Sequence, residues 1–394
     1  MKPVRAVAAL RALCGLDLHA EVLVPAVLEA LHQIVPSYRN LFDWTDSQGR
    51  LLRYFIEGPI DTQIAQLYFD EFHNRRETEA MPAFDSLRGH GAGVRSAAEL
   101  DHAAFFRSAL YQQVWRPQGF HTRLEAVLRG QRGQLLGSLV LYRSEHEARF
   151  NAADERLLAS VLPILASALQ SCDTVADGRH VASPDPAQTL IMNLRGDVHY
   201  ASAGAHALLL LADGGASREA LSRPLDVLAS ALVPMLLARL RKRWAQPVAL
   251  RGPPPSITHE TRAGQFVACG ELLQAGPSPW WRVGAATQGA ASQPEGAALE
   301  ADCAVRVEPL VQITLRRLEP HRVALERALR QLALTPGQAA VCRSLYHGHS
   351  HPQISQQLGV SPATVVDHVR KAYRTLDVRS ALELRAKLDL QVGS

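Results

Sequence analysis

The C-terminal stretch from Leu334-Thr-Pro-Gly-Gln338 to Leu376-Asp-Val-Arg-Ser380 decides the fold of this part of the chain, because helix start and stop signals follow one another at short intervals. Thr335 offers a hydroxyl for an N-cap, Pro336 suits the first helical position, and Gln338 completes a capping box. These residues predict a first helix.

Three further helices are predicted after it. Their starts are Ser350-His-Pro-Gln353, Ser361-Pro362 and Ser380-Ala-Leu-Glu383. The first helix is predicted to end at Tyr346 with Gly348, the second at Gly359 and the fourth at Leu388. The third helix carries Val365, Val369, Ala372 and Leu376 at helical spacing. Only Gly359 and Val360 separate Leu358 from Ser361, so a tight turn joins the second helix to the third.

Several motifs in this stretch resemble the LuxR/FixJ-type helix-turn-helix domain with their spacing intact. They are Leu334-Thr-Pro, Gly348-His-Ser-His-Pro-Gln-Ile-Ser, Leu358-Gly-Val-Ser, Thr364-Val-Val-Asp-His-Val and Leu376-Asp-Val. The resemblance implies that the third helix enters the major groove of double-stranded DNA and that the fourth helix helps to form a homodimer. It places a DNA-binding domain at residues 334–394.

Carried over by position, the resemblance assigns DNA contacts to the third helix. Val366, Asp367 and Arg370 would face base edges, whereas hydroxyl, imidazole and cationic side chains nearby would position the helix on phosphates. The predicted DNA-binding residues are Thr364, Val365, Val366, Asp367, His368, Arg370, Lys371 and Arg374.

The chain departs from the family pattern at Gly337, Gln338 and Ala381, where such domains usually carry arginine, glutamate and arginine. The usual glutamate at position 338 and the usual arginine at position 381 are both absent, which indicates the loss of one structural ion pair. Gln338 still suits the capping box. A lysine or arginine is common where Val366 stands, so the DNA sequence preference cannot be transferred from relatives.

The distribution of charge independently favours DNA as a partner. From Arg330 onward, eight Lys or Arg stand against four Asp or Glu, and this excess of four equals the net charge of the whole chain, which has 42 basic and 38 acidic residues. Such a modest positive charge fits a few phosphate contacts per subunit and hence two subunits on DNA.

The first half resembles a GAF domain over residues 18–172. The resemblance rests on the strand Leu136-Gly-Ser-Leu-Val-Leu-Tyr-Arg143, followed by Phe150 and Asp154 at the start of a closing helix. Helices are predicted at 22–34, 60–74, 105–115 and 150–169, and strands at 39–44, 51–56, 120–128 and 135–142. The candidate pocket residues are aromatic: Phe42, Trp44, Tyr54, Phe69, Phe72, Phe106, Tyr111 and Trp115. A plain aromatic core is the alternative for each of them.

A polar linker is expected at 173–187, a second sensor domain at 188–318 and a connector helix within 319–333. The second domain resembles a PAS domain in the stretch Arg195-Gly-Asp-Val-His-Tyr-Ala-Ser-Ala-Gly-Ala205 and the leucine run after it. Strands are predicted at 189–193, 198–200, 247–250, 257–261, 265–272, 280–285 and 305–315, and Trp280 is a further pocket candidate, with Trp281 beside it.

Other chemistries lack their sequence signals. No phosphate-binding Gly-x4-Gly-Lys-Ser/Thr loop, receiver-domain acidic pattern or acyl-homoserine-lactone receptor pattern is evident, and no catalytic or metal constellation stands out. His347, His349 and His351 are metal ligands by type, yet their placement at a helix stop and start favours plain loop histidines. Five scattered cysteines predict reduced thiols, with a redox role for Cys269 and Cys303 as the alternative.

Taken together, the sequence predicts an α+β multidomain protein in which two antiparallel-sheet sensor domains precede an all-α four-helix DNA-binding domain. At 394 residues, without an apolar run of membrane length or a signal-peptide pattern, it is expected to be cytoplasmic and not membrane-bound. The expected function is dimeric transcription regulation with a small-molecule input, and RNA polymerase is a further possible partner. The sequence does not specify a cofactor. The rivals are a sensor or scaffold whose C-terminal helices contact protein, and then an enzyme.

Overall fold

The structure is a computed structural model that describes residues 3–46, 48–170, 178–221, 226–247, 250–273 and 309–393. Among these residues the helices are α1 (Pro3–Cys14), α2 (Ala20–Leu31), α3 (Thr62–Leu67), α4 (Ala103–Arg107), α5 (Ala152–Gln170), α6 (Ala205–Ala212), α7 (Arg218–Leu221), α8 (Val233–Trp244), α9 (His321–Gln331), α10 (Pro336–Tyr346), α11 (His351–Leu358), α12 (Pro362–Leu376) and α13 (Ala381–Val392). The strands are β1 (Arg39–Thr45), β2 (Leu51–Ile56), β3 (Gly93–Arg95), β4 (Thr122–Arg129), β5 (Leu135–Arg143), β6 (His180–Ala182), β7 (Gln188–Asn193), β8 (Val198–Ala201), β9 (Ser256–Thr261), β10 (Gly264–Leu272) and β11 (Leu310–Pro320).

The first sheet is antiparallel, with the strand order β2-β1-β5-β4-β3. Because side chains alternate along a strand, its two faces build separate cores. One face packs against α2 and α5, on which α1 lies in turn, and Phe42 belongs to that core. The opposite face carries Tyr54 and Val140 and is covered by α3, α4 and two π-helical turns at Tyr68–Phe72 and Tyr111–Trp115.

The helices over this second face are shorter than predicted. The helix expected at 60–74 is divided into α3 and a π-helical turn, and the helix expected at 105–115 is interrupted at Ser108, whose backbone is extended. There the Tyr111 backbone N–H donates to Ser108 Oγ at 3.2 Å, so this serine restarts the chain. The sequence prediction also omitted α1 and the three-residue strand β3.

The second sheet has the order β8-β7-β11-β10-β9, the same order as the first sheet, with β6 added on β11. Its core is closed by α6 and α8. The strand β6 lies inside the predicted linker. The predictions at 280–285, at Trp280 and Trp281, and at Cys172 and Cys303 lie outside the described residues, as do parts of those at 247–250 and 305–315.

The regions built on the first and second sheets touch on the cavity side of the first sheet. The Tyr54 backbone N–H donates to the Ala216 carbonyl at 2.9 Å, and Leu210 and Leu221 belong to the same hydrophobic cluster as Tyr54 and Phe69. The second domain therefore completes the core around the second face of the first sheet.

The C-terminal helices α10 to α13 form one core together with α9. Ala324, Leu325, Ala328 and Leu329 of α9 are buried in it, whereas Val323 belongs to the core between the first sheet and its helices. The connector helix, expected within 319–333, is thus α9, which is shared between the two parts and begins directly after Pro320, the last residue of β11.

Candidate nucleic-acid interface

The turn between α11 and α12 is held by backbone geometry and by two serines. Gly359 ends α11 with a φ of 64°, in the left-handed region that favours glycine. The Ser355 hydroxyl donates to the Val360 carbonyl at 2.6 Å, and Ser361 caps α12 by accepting from the Thr364 backbone N–H at 3.1 Å. The second and third helices of the domain are therefore fixed at a short, defined turn.

The α12 helix is strongly two-faced. Its buried residues are Val365, Val369, Ala372 and Leu376. Val366 is 42% exposed, and Arg370, Lys371 and Arg374 are exposed with it, while Thr364, Asp367 and His368 are half-buried. Val365 is 0% exposed, so its inclusion among the DNA-binding residues is wrong: this side chain packs in the core.

An ion pair organises the exposed face before any partner binds. Lys371 Nζ lies 2.7 Å from Asp367 Oδ2, one helical turn away. The hydrogen bond from Lys371 lowers the pKa of Asp367, so this carboxylate is charged at neutral pH. A cytosine amine approaching Asp367 would therefore share the carboxylate with Lys371.

A cavity of about 130 Å³ lies on the second face of the first sheet, beneath α3 and the π-helical turns. Of the predicted pocket residues, Tyr54, Phe69 and Trp115 line it. Phe42 and Trp44 contact each other on the opposite face, with ring centroids 4.9 Å apart. The rest stand behind the lining: Phe72 is buried in the adjoining cluster, and Phe106 and Tyr111 pack together at 5.2 Å.

The sheet that floors this cavity carries charged residues that the sequence prediction missed. Arg95 donates a hydrogen bond to Glu125 at 2.9 Å, and Arg123 forms an ion pair with the same carboxylate at 3.1 Å. Asp43 stands beside them, and its Oδ2 accepts from the Ser138 hydroxyl at 3.0 Å. Burial raises the pKa of Asp43 to about 8. No pattern in the sequence marks Asp43, because a single polar residue in a strand is usually exposed.

We expect Asp43→Asn to stabilise the N-terminal domain, which contains the first sheet, increasingly as the pH rises. The folded carboxyl keeps its proton up to about pH 8, whereas the unfolded chain loses it near 3.8, so between these values a rise in pH favours the unfolded chain. The variant lacks this penalty. Thermal unfolding followed at several pH values checks this, with the exposed Asp70→Asn as control, and a gain that is the same at every pH contradicts it.

Residues 332–386 match the family model described as bacterial regulatory proteins, luxR family. The chain ends in a LuxR-type helix-turn-helix domain. The N-terminal region has GAF domains among its structural neighbours. The phycoerythrobilin-bound GAF domain of a cyanobacterial phytochrome is 14% identical with a TM-score of 0.29, the match covering 43% of this chain and 96% of the neighbour. The GAF domain of a phosphoenolpyruvate-protein phosphotransferase from Coxiella burnetii is 17% identical with a TM-score of 0.26, covering 43% and 95%.

No curated protein matches the chain significantly. None of the described helices is long and apolar enough to cross a membrane.

The capping prediction at the start of the LuxR-type domain is confirmed. The Gln338 backbone N–H donates to Thr335 Oγ1 at 3.4 Å, and the Thr335 backbone N–H donates to Gln338 Oε1 at 2.8 Å. Gln338 therefore completes the capping box at the start of α10 in place of the glutamate that is usual in the family. At its far end this helix is tied to α13, because the Tyr346 hydroxyl donates to Asp389 Oδ1 at 2.5 Å.

Gly337, which stands where the LuxR pattern usually has arginine, changes the surroundings of α12. A Cβ atom placed on Gly337 would lie 3.0 Å from His368 Nε2, so the imidazole occupies the space into which a larger residue at 337 would extend. His368 Nδ1 is buried without a hydrogen-bond partner among the described residues. His368 thus packs between α12 and α10 as well as lying near the predicted phosphate path.

Two adjacent valines of α12 provide a matched pair of variants. Val365→Ala is expected to cost the LuxR-type domain about 2 kcal/mol, because a fully buried side chain is truncated. Val366→Ala is expected to leave stability within about 0.5 kcal/mol of the parent while weakening discrimination at one base position. Thermal unfolding and binding to DNA sites with single-base changes measure the two effects. The same loss of stability in both variants would contradict the assignment of faces.

Within the described ranges, no group of three or more potential ligands is placed to hold a metal ion. The rings of His347 and His349 have centroids 6.4 Å apart. Burial lowers the pKa of His347. It raises the pKa of Cys14 and of Cys342 to about 12, so neither is a reactive thiolate at neutral pH.

Proposed function

We propose that this protein is a dimeric, DNA-binding transcription regulator whose sensor domains respond to a small molecule. The observation that carries the proposal is the two-faced α12 of the LuxR-type domain. Its apolar side is buried, while Val366, Arg370, Lys371 and Arg374 stand exposed beyond a tight turn. This arrangement suits a helix that enters the major groove and meets phosphates at its edges.

The α13 helix supports pairing of two chains on DNA. Leu382 is 76% exposed and Leu390 is 75% exposed, and Ala386 lies between them at helical spacing. An apolar stripe on a surface helix is stabilised when a second copy covers it. Two copies would double the modest positive charge of each C-terminal domain, which a stable complex with DNA requires.

The contacts of α9 support coupling between the sensor part and the DNA-binding part. Glu29 of α2 accepts from Arg327 at 2.7 Å and pairs with Arg330, both on the connector helix. On its other side α9 reaches α10, since Arg343 donates to Glu326 at 2.7 Å. A change in the sensor domain that moves α2 would thus act on the helix that shares the core of the LuxR-type domain.

Selection of genomic DNA fragments by the full-length protein tests the proposal. We expect a defined set of fragments to be retained and their affinity to fall steeply with salt concentration, because phosphate contacts release counterions. Promoter-proximal fragments would also bring the bound protein close to RNA polymerase. Retention of no preferred fragment at any salt concentration would reject the proposal and favour a protein-binding role for the C-terminal helices.

A further inference from the structure

The cavity beside the first sheet contains one buried carboxyl group, that of Asp43, which the protein engages only in part. Asp43 is buried, and the described residues supply only the Ser138 hydroxyl to its carboxyl group, on Oδ2. Asp43 also lines the cavity, so its carboxyl group can be reached by a molecule bound there. Ionisation of a buried carboxyl group is unfavourable unless a cation pairs with it. Asp43 therefore marks a polar end of the cavity that the protein leaves incomplete.

The arginines near Asp43 are already paired with carboxylates. Arg95 contacts Glu125 at 2.9 Å and Glu99 at 3.2 Å, and Arg123 contacts Glu125 at 3.1 Å. Arg95 Nε is buried without a hydrogen-bond partner among the described residues, but the charge of both guanidinium groups is balanced, so an anionic ligand would compete with these carboxylates. The other acid that affects Asp43 is Glu77, which accepts from the Tyr68 hydroxyl at 2.9 Å and so lies close by with the same sign of charge. The carboxyl group of Asp43 therefore suits a cationic ligand that donates hydrogen bonds to it.

The walls around Asp43 are aromatic. Strand pairing places Tyr54 directly opposite Asp43, which brings their side chains next to each other on the same face of the sheet. Trp115, Tyr142 and Phe120 line the same cavity, and the last two stack with centroids 4.1 Å apart. Aromatic faces attract cations, so these rings and the carboxyl group favour the same sign of charge in a ligand.

The size of the cavity limits the ligand to about one ring. Its volume is about 130 Å³. A cavity on the order of 150 Å³ with apolar walls holds benzene. A nucleotide or a tetrapyrrole is too large for this space. At the rim, the exposed Asp61 adds a second negative charge where a cation would enter.

We propose that this cavity binds a single-ring aromatic molecule bearing a cationic amine or amidine group, with the cation paired to Asp43 and the ring held among the surrounding aromatic side chains. This inference rests on the proposed sensor function and names the chemical class of its ligand. Because the Tyr54 backbone N–H is bonded to Ala216, an occupied cavity would be sensed directly at the contact with the second domain.

Three probes of nearly equal shape test the charge that the cavity selects: benzamidine, benzamide and benzoate, which are cationic, neutral and anionic. Calorimetric titration of the full-length protein is done without DNA, so a failure here is distinguishable from a failure to bind DNA. We expect benzamidine to bind at least about tenfold more tightly than benzamide, since the neutral amide cannot form a charge-assisted hydrogen bond, and benzoate to bind most weakly. Equal or tighter binding of benzoate, or no binding of any probe, would overturn the proposal.

Two further readouts identify Asp43 as the recognising group. Asp43→Asn should reduce benzamidine affinity about tenfold or more and leave benzamide affinity nearly unchanged, whereas the control Asp70→Asn, an exposed acid outside the cavity lining, should change neither. In the unsubstituted protein at neutral pH, titrations in two buffers of different ionisation enthalpy should show a proton released on binding benzamidine, because Asp43 must ionise to pair with it. An unchanged benzamidine affinity in Asp43→Asn, or no released proton, would reject this role.

Discussion

Replacing Arg370 and Lys371 together with alanine is expected to lower the affinity of the full-length protein for its selected DNA fragments roughly a hundredfold. Both side chains are exposed on α12, and in a dimer the substitution acts in both subunits. The absence of Lys371 also leaves Asp367 unpaired and repelled by phosphates, since the two residues lie 2.7 Å apart in the unbound protein. Binding titrations across a salt series measure both the affinity and its salt dependence.

The salt dependence separates a residue that binds a phosphate from one that reads a base. Lys371→Ala alone should reduce the slope of log affinity against log salt by about 1 for each phosphate that the protein no longer neutralises. Arg370→Ala should instead relax the preference at one base position. The matched control is Arg239→Ala with Lys242→Ala, which removes the same charge from the exposed face of α8 beside the second sheet. Its thermal unfolding is compared as well, because Arg239 donates to the Ser256 carbonyl at 2.6 Å. If the control weakens DNA binding as much as the α12 variant does, α12 is not the reading helix.

Glu326→Ala is expected to destabilise the junction of α9 and α10 by about 2–3 kcal/mol, because it leaves the Arg343 guanidinium without its carboxylate. Glu326 is only 6% exposed, and both of its carboxyl oxygens accept hydrogen bonds from Arg343. Arg343 is 28% exposed in its side chain, so water replaces part of the missing interaction. Hydrogen exchange of the α9 and α10 amides reports this destabilisation locally in the full-length protein.

A double variant distinguishes the ion pair from simple packing. Glu326→Leu with Arg343→Met removes both charges and keeps apolar volume, so much of the stability that Glu326→Ala removes should return. Glu145→Ala, an exposed acid in the loop after β5, serves as control and should leave exchange at α9 and α10 unchanged. A double variant as unstable as Glu326→Ala would show that the volume of the glutamate side chain, and not its charge, holds the junction.

The start and stop signals of the LuxR-type domain could be predicted because they act over three or four residues. Thr335 with Gln338, Ser361 with Thr364, and Ser380 with Glu383 each form the local hydrogen bonds that their spacing predicts. The third-helix end was not predicted, because Asp377 adopts a left-handed φ of 52° that glycine or asparagine usually provides.

The candidate cavity could be predicted only in part. The alternation of side chains implies that Phe42 and Asp43 face opposite sides of the sheet, but not which side α2 and α5 cover and which side contains a cavity. A prediction based on aromatic residues alone therefore included Phe42 and Trp44 together with Tyr54 and Trp115, although Phe42 and Trp44 belong to the core on the other face of the sheet. The charged floor of Arg95, Arg123 and Glu125 is assembled from two strands, whose register is fixed by long-range pairing.

Residues close together in the chain are enough to predict the C-terminal domain, the starts of its helices and the apolar face of α12, because caps, glycines and helical periodicity depend on residues within a few positions of one another. The packing of distant elements was needed to show that His368 fills the space beside Gly337 and that Asp43 lines an aromatic cavity. It also decided that α9 belongs to two cores. These features depend on contacts between elements far apart in the chain, which local patterns do not encode.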